Sequence, residues 1–126
     1  MPNVEFKPIL YLKQNCPFCL KIRLFVLEAQ LADLVEIRDF VVGSKQEEDI
    51  RAELSPQLAK VSFPAAQLEP GQYIAESDDI IAFLATTFRR DPAGLDVYGN
   101  YVEAALNPML KLWKENIELK AAATAS

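Results

Sequence analysis

Lys13-Gln14-Asn15-Cys16-Pro17-Phe18-Cys19 is the stretch on which the reading of this chain turns. It holds both cysteines, and it lies where a strand-like run, Phe6 to Leu12, passes into a long helix-like run, Cys16 to Ala32. Two thiols three positions apart at a strand-to-helix turn suit thiol–disulfide chemistry. Asn15 or Cys16 can open the helix, with Pro17 at its first position, where a missing N–H costs nothing. At such a helix mouth the unpaired N–H groups and the positive dipole end favour a thiolate, which makes Cys16 the expected nucleophile. Cys19, one turn along, is placed to attack a mixed disulfide on Cys16 and release the product. Two other uses stay open on the spacing alone: half of a zinc site, or a pair of buried structural thiols.

Outward from this turn, Ile9 to Leu12 is continuously apolar, as in a strand buried on both faces of a sheet. The helix after Cys16 carries two apolar stripes, Phe18, Ile22, Val26, Ala29 and Leu20, Leu24, Leu27, Leu31, and is expected to be buried on more than one side. Leu34 to Val42 reads as a second strand ended by Gly43-Ser44, and Lys45 to Lys60 as a charged helix with a thin apolar face, Ile50, Leu54 and Leu58. Pro56 interrupts that helix. Ala65 to Leu68 and Gln72 to Ala75, around Pro70-Gly71, predict a hairpin. Ser77-Asp78-Asp79 then supplies an N-cap and first-turn acids to a helix whose last turn carries Arg89 and Arg90.

After Asp91-Pro92-Ala93-Gly94 the apolar residues Tyr98, Tyr101, Val102, Ala105, Leu106, Met109, Leu112, Trp113 and Ile117 recur at helical spacing. Pro108 predicts two helices or one kinked helix, with Asn107 as the cap, and Ala121 to Ser126 reads as a frayed tail. Tyr101 and Trp113 read as core or interface residues. The order strand, helix, strand, helix, strand, strand, helix implies a mixed sheet with helices packed on it.

With 126 residues, about half of them hydrophobic, the chain suits one compact unit. A net charge of −5 argues against nucleic acid or an anionic membrane as partner, although Lys13, Lys21 and Arg23 form a local positive rim around the cysteines. There is no histidine, which removes Ser–His and Cys–His pairs and the commonest metal ligand, so no metal site is assigned. Met1-Pro2-Asn3-Val4-Glu5 lacks the features of a signal peptide and no run is long enough to span a bilayer, so a cytoplasmic protein is expected. In a reducing compartment a close cysteine pair points to catalysis or metal binding before a static crosslink.

Tyr11 to Cys19 resembles the active-site segment of dithiol glutaredoxins. Val61-Ser62-Phe63-Pro64 and Glu76-Ser77-Asp78-Asp79-Ile80 resemble the two other glutathione-contact segments of glutaredoxins and of the N-terminal domain of glutathione S-transferases. All three occur in the family's order, across about residues 6 to 90. The resemblance implies an α/β thioredoxin-like fold of glutaredoxin type, a four-stranded mixed sheet flanked by helices, over residues 1–92. Residues 93–126 are then a helical extension, packed on that domain or used in dimerisation.

The resemblance also implies glutathione as co-substrate. Lys13 matches the basic residue that pairs with a glutathione carboxylate, and Cys16 matches the nucleophile. Pro64 matches the cis-proline facing the active site, so that the Phe63 backbone pairs with the cysteinyl part of the tripeptide. Ser77 and Asp78 match the residues holding its γ-glutamyl end, and Glu76-Ser77 is the transferase form of that motif. Three departures stand out. Phe63 replaces a smaller aliphatic residue, which reshapes the thiol groove, and the wording after Pro64 leans towards the transferases. The third is Pro17, where the iron–sulfur-bridging members carry glycine.

The function so implied is reduction of disulfides or glutathionylated thiols through Cys16. The alternative is a glutathione-binding or dimerising module of transferase type without redox turnover. A transferase acting as a dimer is a third option.

Overall fold

The computed structural model describes residues 6–125. Met1 to Glu5, on which the leader reading bears, and Ser126 lie outside them. The elements follow the expected order: β1 (Ile9–Lys13), α1 (Pro17–Glu28), β2 (Glu36–Phe40), α2 (Lys45–Leu54), β3 (Ala65–Glu69), β4 (Gln72–Ala75) and α3 (Ser77–Phe88). A single 3-10 turn, Pro92–Gly94, leads to α4 (Asp96–Tyr101), a π-helical segment (Val102–Leu106) and α5 (Asn107–Ala125).

The sheet is mixed and runs β2-β1-β3-β4. β1 lies parallel to β2, with Leu10 opposite Ile37, and antiparallel to β3, with Leu10 opposite Ala66. β3 and β4 form the hairpin predicted around Pro70-Gly71. This is the thioredoxin-like arrangement expected from the sequence. Alternation along β1 divides the interior. Leu10 and Leu12 enter a core with Ile22, Phe25 and Val26 of α1 and Ile80, Ile81 and Leu84 of α3, whereas Tyr11 enters a second core with Phe40, Ile50, Leu54 and Ala65. A strand buried on both faces explains the unbroken apolar run that marked it.

Several boundaries move inward. β1 begins at Ile9, not Phe6, and β2 is confined to Glu36–Phe40. α1 stops at Glu28, where Gln30 adopts φ 60°, so the helix cannot continue to Ala32. Its second stripe is buried only at Leu31, beyond the helix end: Leu20 is 44% and Leu27 67% exposed and Leu24 is half-buried, while Phe25, outside both stripes, is fully buried. α2 ends two residues before Pro56, although Ser55 between them keeps helical backbone, φ −55° and ψ −43°; Pro56 itself has no N–H with which to extend the ladder. α3 begins at Ser77 with Glu76 in the cap position, so Ser77 is the first helical residue and not the cap. Arg89 leaves α3 in a left-handed conformation, φ 57°. Arg90, beyond the helix, donates to the carbonyls of Ala29 at 2.8 Å and Phe88 at 2.6 Å, joining the ends of α1 and α3.

The extension is one helical run, and Asn107 is no cap, for its backbone stays helical and its N–H reaches the carbonyl of Val102. Pro108 has no N–H, and its ring would strike the carbonyl four residues earlier; the wider π turn takes up the mismatch without ending the helix. α4 packs on α1, with Tyr98 edge-on to Phe25 at 5.6 Å. Glu28, the last residue of α1, accepts the N–H groups of Val97 at 3.0 Å and Tyr98 at 2.7 Å, so its carboxylate caps α4. Helix continues through Ala125, so Ala121 to Ala125 is ordered as α5 and not frayed, in keeping with the helix propensity of alanine. From Lys111 to Thr124 every residue is exposed, Trp113 among them at 56%. Trp113 is therefore not core. Among the described residues no helix is long and apolar enough to cross a membrane.

Candidate functional site

Asn15 turns the chain at φ 61°, and Cys16 follows in extended backbone as the residue capping α1, with Pro17 in the first helical position. The arrangement leaves Cys16 half-buried at the helix mouth while Cys19, one turn in, is 1% exposed. Both are free thiols. The Lys13 N–H donates to Cys19 Sγ at 3.3 Å, which fixes the turn against the end of β1. Burial, opposed by the Lys13 N–H and reinforced by the hydrogen bond and charge interaction with Cys16, pushes the Cys19 thiol up to about 12. The two thiols are thus unequal: one reaches the surface, the other is held protonated inside.

On the far side of the groove the Phe63-Pro64 peptide bond is cis, and Pro64 is buried. The Phe63 ring meets Phe40 edge-on at 4.6 Å and lies under the Arg51 guanidinium at 5.2 Å. Its bulk is therefore partly absorbed on the α2 side of the sheet, a packing the sequence did not foretell. Glu76 is exposed and has φ 111°, a backbone region that side-chain-bearing residues rarely enter. It turns β4 directly into α3, whose first N–H groups, from Ser77 onward, have no intrahelical partner.

Two concavities meet here. One, of about 350 Å³, is lined by Phe63, Pro64, Glu76, Ser77 and Asp78 together with Phe18 and Lys21. The other, of about 600 Å³, is lined by Lys13, Cys16, Leu20, Arg23, Tyr101 and Met109 among others. Leu106, in the π-helical segment and 2% exposed, borders both. The sequence-predicted residues thus fall in two groups: Phe63, Pro64, Glu76, Ser77 and Asp78 line one basin, and Lys13 and Cys16 the other. Cys19 lies beneath the turn.

Two kinds of residue escaped the sequence reading. Lys21, expected on an exposed positive rim, is 7% exposed; its ammonium donates to Ser77 Oγ at 3.4 Å and pairs with the Asp78 carboxylate. A signal was present, since Lys21 stands at helical spacing between Phe18 and Phe25 on the inward side of α1. Tyr101 and Leu106 reach the site from the extension, and no local pattern could have placed them there.

Comparison with solved structures finds a glutathione S-transferase from the Antarctic clam Laternula elliptica, 18% identical, with a TM-score of 0.52 over 69% of this chain and 37% of that one. A possible glutathione S-transferase from Rhodopseudomonas palustris is 23% identical, with a TM-score of 0.49 over 64% of this chain and 40% of that one. Glutathione transferase Omega 2C from Trametes versicolor is 25% identical, with a TM-score of 0.47 over 66% of this chain and 38% of that one. The alignments span well under half the length of each of these proteins. A search of curated proteins gives no match. The model for the glutathione S-transferase N-terminal domain matches residues 15–87, more than half of the sequence, and the chain belongs to that family.

Proposed function

We propose that the protein is a glutathione-dependent thiol–disulfide oxidoreductase with Cys16 as the nucleophile. The observation that carries the reading is the division between its thiols: Cys16 half-buried at a helix mouth, Cys19 buried and held protonated. In the proposed cycle the Cys16 thiolate attacks the glutathione sulfur of a glutathionylated thiol. A Cys16–glutathione disulfide forms, and the substrate leaves as a thiolate that takes a proton from water. A second glutathione thiolate then attacks the glutathione sulfur of that disulfide, releasing oxidised glutathione and restoring Cys16.

Resolution by Cys19 is the slower route, because its thiol must first lose a proton that burial retains. For seating the tripeptide, the backbone of Phe63 beside cis-Pro64 is assigned to its cysteinyl part. Ser77 and Asp78, presented by Glu76, take the γ-glutamyl end. Lys13, which has no ion pair among the described residues, takes the glycine carboxylate across Leu106.

The test is reduction of a mixed glutathione disulfide by wild type, Cys16→Ser and Cys19→Ser. The expected outcome is loss of turnover in the first variant and its retention in the second. Undiminished turnover by Cys16→Ser would sink the proposal.

A second reading rests on α5, which carries Leu112, Trp113, Ile117 and Leu119 exposed. In it, residues 1–92 bind glutathione without turnover and residues 93–126 pair with a second copy of the chain. Glutathione binding by wild type in the absence of any disulfide reduction supports this reading over the first.

A further inference from the structure

Lys21 is the one cation among the described residues that is both buried and in contact with the groove assigned to the γ-glutamyl end. Its ammonium has three N–H donors. One goes to Ser77 Oγ and one to the Asp78 carboxylate, and the third has no acceptor among the described residues. Lysine is almost never this buried unless it is paired, and the one carboxylate that pairs with Lys21 is itself 86% exposed. Beside it stand the free N–H groups at the start of α3. Across the same groove lie Glu76 and the outer side of Asp78, both anionic.

The floor is positive and the rim negative. An amino-acid end group has the same polarity, with a carboxylate and an ammonium on one carbon.

We infer that Lys21 is a specificity residue: its third N–H binds the α-carboxylate of the γ-glutamyl group while Asp78 and Glu76 receive the α-ammonium. This rests on the glutathione reading above and names which end of the ligand the groove selects. Lys21 also holds Asp78 and Ser77 in place, so a substitution acts both on the ligand and on its neighbours; the test separates the two.

The probes are S-methylglutathione, which cannot exchange disulfides, and the same molecule lacking the α-carboxylate, S-methylated 4-aminobutanoyl-Cys-Gly. Binding is measured calorimetrically to wild type, Lys21→Met and Lys21→Arg. Wild type is expected to bind the carboxylate-deleted probe about ten- to hundredfold more weakly than S-methylglutathione. Lys21→Met is expected to lose a similar factor on S-methylglutathione and little on the deleted probe, and Lys21→Arg to recover most of the loss.

Equal losses on both probes, or no discrimination by wild type, would overturn the role of Lys21 and leave glutathione binding standing. Failure of wild type to bind either probe overturns both readings. The wild-type comparison requires no variant to fold, so an unstable Lys21→Met does not remove the test.

Discussion

The hydroxyl of Tyr101 donates to the carbonyl oxygen of Pro17 at 2.6 Å, so a residue of the C-terminal extension is bonded to the turn that carries both cysteines. The phenol is half-buried, and burial together with negative charge at Cys16 raises its pKa, which keeps it a donor at neutral pH. Tyr101→Phe keeps the ring and removes only this bond. The expected cost is about 1 kcal/mol, read as a lower urea midpoint at unchanged slope. Tyr101→Ala should cost more, because the ring also walls the cavity beside Cys16. Identical midpoints for wild type and Tyr101→Phe would mean that the bond contributes nothing to holding the extension on the turn.

The buried thiol makes stability depend on alkaline pH. A free cysteine titrates near ~8.5 in an unfolded chain, whereas Cys19 in the fold is pushed up to about 12. Between these values the folded state holds a proton that the unfolded state has released. The contribution is therefore fully present below about pH 8.5 and is lost as pH rises towards the folded value, with a limiting slope of about 1.4 kcal/mol per pH unit. Buried phenols such as Tyr11, whose pKa is also raised, add the same sign of slope only above about pH 10. Denaturation of Cys16→Ser and of Cys16→Ser/Cys19→Ala between pH 8.5 and 10 isolates the effect. The first should weaken with pH and the second should stay flatter; matching slopes would remove Cys19 as the cause.

What could be read along the chain was whatever has a local period or a local turn. β1 announced itself because both its faces are apolar, and the hairpin through Pro70-Gly71, since each depends on neighbours in sequence. Lys21 was misread because charge is scored as solvent-facing, whereas its helical spacing with Phe18 and Phe25 turned it inward onto Asp78, 57 residues away. Glu28 and Arg90 were silent for a related reason: one caps a helix that begins eight residues after α3 ends, and the other joins two helix ends far apart in sequence. Leu106 borders both cavities from the π-helical segment of the extension, far in sequence from the cysteines. Lys21 apart, the position of each such residue is set by packing between elements, to which no window of sequence has access.

The helix α5 presents Leu112, Trp113, Ile117 and Leu119 to solvent, and the proposed pairing with a second copy rests on this apolar surface. If a second copy covers it, Trp113, the sole tryptophan of the chain, reports the event directly. At low concentration its emission should be that of a water-exposed indole. As concentration rises the emission should shift to the blue while sedimentation shows the mass doubling. Leu112→Lys/Ile117→Lys removes apolar contacts on the same helix without touching the cysteine turn or the groove. This double variant should keep the red emission and the monomer mass at every concentration, with disulfide reduction unchanged. A wild-type chain that stays monomeric, with unshifted emission at the highest concentration reached, would sink self-association through α5.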